Sequence, residues 1–238
     1  MASWLRRQRP RVEAPTLTPR DTAVAALRVD LGELAPPSDV FLGHCAALHL
    51  TFIEQLTEAM SNAPRVADKD SLAHVAGIVF ERYRALAAEL ERLHLDKTDV
   101  MQPHLEGVEE FKRRTMGGEW YEQVASAHVT IGFLTDFWIA LSVGLVGEPG
   151  DRVAQALAKG DPHAPLHRIV ERAIAANPKL SSRLALWCRR LLGDTMLQAR
   201  SALVQHDDRS KDEAQIEPVF TELIAEHTRR MDRLGLTA

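Results

Sequence analysis

From Glu119 to Val146 apolar residues recur on nearly every side of a helix. Trp120, Val124, Ile131, Leu134, Phe137, Trp138 and Leu141 are spaced three and four apart, with His128 among them, and a helix apolar around much of its circumference must be enclosed by other elements. A chain holding this segment folds around it.

The segments that do the enclosing show the same helical period. Ser38 can cap a first turn carrying Asp39, and Phe41, Cys45, Leu48, Phe52 and Leu56 then mark a helix over about 39–61, closed by Asn62-Ala63-Pro64. A second helix, about 70–94, carries Leu72, Val75, Val79, Phe80, Tyr83, Leu86 and Leu90. Phe80 and Tyr83, three apart, are expected to project together into its packing partner, whereas Glu81, Arg82 and Arg84 read as a solvated face. The segment 100–115 is rich in charge and is expected to lie across the outside, ending at Met116-Gly117-Gly118. Past Gly147-Glu148-Pro149-Gly150 a helix from Asp151 is broken at Gly160-Asp161-Pro162 and resumes over 164–176, because proline cannot donate to the helical ladder. Ser181 can cap a helix running to about His206, and a last helix spans about 212–234. No strand alternation and no internal repeat interrupts this pattern. The fold class is all-α: a four-helix bundle about 35–40 Å long, at 1.5 Å per helical residue, with additional peripheral helices.

Residues 1–36 read differently. Arg6, Arg7, Arg9, Arg11 and Arg20 face a single acid, Glu13, before Asp21, and the segment reads as a disordered basic arm preceding a helical domain over 37–238. Trp4 and Leu5 could anchor it on a protein partner, and its arginines could meet phosphate; a solvated tail is the alternative. Arg183, Arg189, Arg190 and Arg200 give the penultimate helix a basic side, a second hint of nucleic acid or a plain solvated face. The net charge of −4 argues against a nucleic-acid surface over the whole protein. No apolar run approaches the roughly 20 residues of a membrane span, so the expectation is a cytoplasmic protein. Its two cysteines, Cys45 and Cys188, lie far apart within helices and read as buried free thiols.

Three stretches carry a resemblance: Trp120 to Trp138, Ser182-Arg183-Leu184-Ala185-Leu186-Trp187-Cys188-Arg189-Arg190-Leu191-Leu192-Gly193-Asp194, and Glu226-His227-Thr228-Arg229-Arg230-Met231-Asp232-Arg233-Leu234-Gly235-Leu236. Over roughly 38–236 the chain resembles the ferritin-like fold proteins of actinobacteria, similar in turn to bacterial di-iron tRNA hydroxylases. The resemblance implies two irons held by a carboxylate on the first and third core helices and a Glu-x-x-His on the second and fourth, since hard carboxylates bridge the cations and i, i+3 spacing aims the imidazole at the same metal. Carried over, those ligands fall at His49, at Phe80 and Tyr83, near Ile131, and near Lys159 and Pro162. None keeps the expected ligand type.

Displaced ligands do not fill the gap. Glu54 is on another face from His49, Glu81 is about 100 degrees from Phe80, the literal Glu91-x-x-His94 sits at a helix end, and Asp136 reads as supporting rather than ligating. His163 and His167, at i, i+4, have a metal-ligand spacing but flank proline-bearing loop ends. His49 and His128, if both face inward, could meet near Tyr83 and bind one metal or a small polar ligand; buried, hydrogen-bonded histidines are the alternative. The first expectation is therefore a bundle that has lost its di-iron site, without cofactor, working as a binding or scaffold protein. A hydroxylase using iron at a rearranged site, acting on a tRNA base or small substrate, and a small-ligand-binding module are the alternatives. A homodimer fits the bundle class.

Overall fold

The structure is a computed structural model that describes residues 32–145, 149–204, 206 and 209–236. Most of the basic arm, with Trp4, Leu5 and its arginines, lies outside the described residues. The arm's assigned end does not: Gly32–Leu34 forms a 3-10 turn in which Leu34 is fully buried, and its carbonyl accepts the Val204 amide at 3.0 Å.

Nine α-helices follow among the described residues: α1 (Ser38–Ser61), α2 (Val66–Arg92), α3 (Lys97–Met101), α4 (Leu105–Thr115), α5 (Trp120–Ser142), α6 (Pro149–Ala158), α7 (His163–Ala176), α8 (Lys179–Arg200) and α9 (Arg209–Arg233). No strand occurs among the described residues. As the apolar ring requires, α5 is central, packing on α1, α6, α7, α8 and α9. It is also long and apolar enough to cross a membrane by composition, contrary to the sequence expectation, yet 83% of its most apolar window is buried against those neighbours. Helix α1 packs along α2 to form the other half of the bundle.

Several boundaries depart from the sequence reading, each for a local reason. Helix α2 begins a turn early because buried Asp68 gathers Arg65, at 2.9 Å, and Arg172 of α7, which fixes its first turn. Pro103 divides the outer segment, so α3 and α4 are joined by a 3-10 turn at Gln102–His104, and Asp96 caps α3 by accepting from the Thr98 and Asp99 amides. Neither Ser38 nor Ser181 caps a helix: prolines 37 and 178 take the cap positions, and Ser181 Oγ donates to the Gly235 carbonyl. Helix α8 stops at Arg200, whose guanidinium pairs with Glu213 of α9 at 2.7 Å.

Glycine decides one close approach. A Cβ on Gly43 of α1 would lie 2.2 Å from the Val100 carbonyl oxygen, so α3 touches the α1 backbone directly. Gly43→Ala is expected to push α3 away and lower stability by about 1–3 kcal/mol, measured as a reduced urea midpoint; an unchanged midpoint would show that α3 moves freely.

Candidate functional site

The second helix turns a different face inward from the one its aromatics suggest. Arg82, in the charged run Glu81-Arg82-Tyr83-Arg84, is 3% exposed, while Phe80 is 46% exposed. The stripe Leu72, Val75, Val79, Arg82, Leu86 and Leu90 is the buried one, so Arg82 completes the apolar spacing. Its guanidinium donates to the Lys159 carbonyl at 3.1 Å, the Gly160 carbonyl at 3.3 Å and Thr135 Oγ1 at 3.2 Å. One side chain thus ties α2, α5 and the α6–α7 connection together. Burial lowers its pKa, and the nearby Asp136 carboxylate works in the opposite direction.

Beside Arg82 opens a cavity of about 600 Å³ between α2, α5, α7 and α9. Its wall is unusual in polarity. His128 of α5 is 2% exposed, and neither ring nitrogen has a hydrogen-bond partner among the described residues. His163 of α7 stands edge-on to it, ring centroids 5.2 Å apart, with its Nδ1 likewise buried and unpartnered. His167, one turn on, lies 6.5 Å from His128. Opposite them, Arg230 of α9 pairs through Nη2 with Asp136, approaches Glu226 through Nε at 3.9 Å, and keeps Nη1 buried without an acceptor. Gly132 makes the convergence possible: a Cβ there would lie 2.5 Å from His163 Cε1 and 3.3 Å from both His163 Nε2 and Arg230 Nη1.

Burial sets the charge state of this wall. Desolvation holds His128 well below its ordinary pKa and lowers His163 to about 4, and the Arg230 cation adds to both effects. His227, on α9, is likewise lowered to about 4, by burial first and Arg230 second. Burial raises Asp136, against the pull of Arg230. Neutral imidazoles, a buried guanidinium and an open donor therefore meet in one cavity. Among the described residues, no three or more His, Cys, Asp and Glu side chains converge closely enough to hold a metal ion.

The fold and this arrangement can be set beside known families. The model of the actinomycete ferritin-like domain matches residues 38–211. The chain belongs to that family. No curated protein matches it.

In this ferritin-like bundle the six positions that the di-iron pattern selects are scattered. His49 is buried in α1 with Nδ1 2.7 Å from the Cys45 carbonyl oxygen, and burial lowers its pKa to about 4. Ile131 is buried in α5, Lys159 is exposed and contributes only its carbonyl, and Pro162 is the N-cap of α7 at the cavity wall. Phe80 is on the surface. Tyr83 is half-buried and lines a different cavity, of about 290 Å³, with Thr51, Glu54 and Leu105. The expected cluster of His49, Tyr83 and His128 is therefore not formed: the phase of α2 sends Arg82 toward α5 and Tyr83 toward α1 and α4.

The other candidates fall on the surface or in ion pairs. Glu54 pairs with Lys112 at 2.6 Å, Glu81 with Arg84 at 3.1 Å, and Glu91 and His94 are exposed, the latter with φ of 57° where α2 ends. Cys45 and Cys188 are free and buried, and burial raises both thiols, Cys188 to about 12. His163 and His167, whose i, i+4 spacing reads as a metal-ligand spacing, both line the α7 wall. What that spacing could not supply was His128 and Arg230, which only the packing of α5 and α9 brings to it.

Proposed function

We propose that this ferritin-like bundle is a binding protein, which takes a small polar ligand into the cavity between α2, α5, α7 and α9 and carries out no di-iron oxidation. The observation that carries the reading is the convergence there of buried polar atoms without partners among the described residues, on His128, His163 and Arg230. An unpaired polar group in a protein interior costs about 1–3 kcal/mol, and a ligand that pairs several of them recovers that cost on binding.

The donor set argues against iron. Two irons need bridging carboxylates, whereas the positions concerned hold a histidine bonded to its own helix, two aromatics outside the core, an isoleucine, a surface lysine and a proline. At the cavity itself Arg82 and Arg230 are buried guanidiniums, and their charge opposes that of a metal pair. Asp136, a carboxylate of that cavity, already serves Arg230. These residues do not fit a di-iron centre.

Purified protein is expected to gain stability from a polar small molecule in a thermal-shift screen. A ligand at 100 times its dissociation constant contributes about 2.7 kcal/mol, or about 5–10 °C for a chain of this size. Gly132→Ala, whose methyl displaces His163, should lose most of that shift while staying folded. About two irons per chain with a ferric absorption band, both abolished by Asp136→Asn, would overturn the proposal.

A further inference from the structure

Resting on that reading of the cavity, we infer that its ligand is a small oxyanion, a carboxylate or phosphate group received by Arg230 Nη1 together with the imidazoles of His128 and His163. The inference starts from charge. Arg82 and Arg230 are two buried cations at the cavity, and the half-buried Asp136 is bonded to Arg230. Arg82 bonds to two carbonyls and a hydroxyl and, among the described residues, to no carboxylate. Two further acids line the cavity. Asp161 is exposed and accepts the His163 and Ala164 amides at the start of α7. Glu226 stands 3.9 Å from Arg230 Nε and is shared with Arg229 at 2.7 Å and Arg233 at 3.1 Å. Arg82 is thus a buried cation without a bonded carboxylate, and burying a charge that is not closely compensated is costly.

The open hydrogen-bonding positions match the same class. Arg230 Nη1 is a donor without an acceptor, in a residue 8% exposed. A neutral imidazole offers one donor and one acceptor, and His128 has both free. A charged oxygen accepts from Nη1 and from the N–H of His128 at once, and charge-assisted bonds of this kind are about twice as strong as neutral ones. A metal cation would use the imidazole lone pairs, yet it would stand beside Arg230 and Arg82 with no carboxylate of its own. A neutral polyol would pair the donors and bring no counter-charge to the two buried guanidiniums. The cavity of about 600 Å³ admits a group well beyond the oxyanion itself, so the anion is the anchor of a larger small molecule.

The test uses the full chain, with inorganic phosphate and acetate as separate probes against chloride at equal ionic strength, read by NMR of the histidine ring nitrogens and the arginine guanidinium groups. Phosphate or acetate is expected to shift the His128, His163 and Arg230 signals saturably, and which of the two does so identifies the source of the oxyanion. Arg230→Met should weaken that binding tenfold or more. Should that variant fail to fold, His128→Phe keeps the ring volume without the nitrogens and should weaken it similarly. Saturation by neither probe, or equal affinity in folded variants, overturns the inference. A cavity that takes zinc ion or glycerol but neither anion overturns the oxyanion while leaving the binding protein standing. Two bound irons would remove both.

Discussion

Lowering the pH from 6.5 toward 4 is expected to unfold this protein, well before its surface carboxylates have titrated. Burial depresses His44 to about 3, His49, His163 and His227 to about 4, and His128 well below the ordinary 6.5. All five are neutral in the fold and protonate near pH 6.5 once the chain is unfolded. The unfolded state therefore binds more protons throughout this window, and stability rises with pH across it. The contribution is fully present above the ordinary histidine value and drains as the pH falls toward the folded-state values. Each imidazole is worth about 1.4 kcal/mol per pH unit, so five together weaken the fold by several kcal/mol per unit. A domain holds roughly 5–15 kcal/mol in all, which puts the acid midpoint near pH 5. Asp136 acts in the opposite sense, because its raised pKa favours proton uptake by the folded chain, but it is one group against five. Far-ultraviolet circular dichroism against temperature at stepped pH measures the effect. His128→Phe should flatten the slope by about one histidine's share. A melting temperature constant from pH 7 to 4.5 would show that these rings are hydrated or relax with little cost.

That dependence rests on residues the sequence displays without revealing their environment. The helices themselves were legible, because an all-α chain with long amphipathic segments states its period repeatedly, and the apolar ring of α5 required the centre it occupies. The phase of α2 was not. Phe80 and Tyr83 are larger and more apolar than Arg82, and hydrophobicity alone chose them. Yet the steps from Leu72 through Val75 and Val79 to Leu86 and Leu90 leave one vacant place, and Arg82 fills it. Spacing was the better guide there than residue type. For the cavity the limit was of another kind. His128, His163 and Arg230 are 35 and 67 residues apart in consecutive steps, and no periodicity joins positions on α5, α7 and α9. Gly132, whose missing side chain leaves room for them, carries no signal at all until its neighbours are known.

The same arginine provides the second large effect. Arg82→Ala is expected to lower stability by about 3–5 kcal/mol, the range for breaking a buried charged network from one side. The substitution strands the Lys159 and Gly160 carbonyls and the Thr135 hydroxyl, leaves a void the length of the side chain between α2 and α5, and frees the α6–α7 connection from α2. For a chain of this size that is a fall of about 6–20 °C in melting temperature, read by calorimetry at pH 7.5, where the histidines stay neutral in both states. Arg82→Met separates the terms. Methionine fills most of the space and carries no charge to desolvate, so it should cost less, about 1–2 kcal/mol, chiefly from the unpaired carbonyls. If Met proves as damaging as Ala, the hydrogen bonds and not the packing hold α6 and α7 in place. If Met proves stabilising, the buried charge of Arg82 is a liability to the fold, retained at an expense in stability.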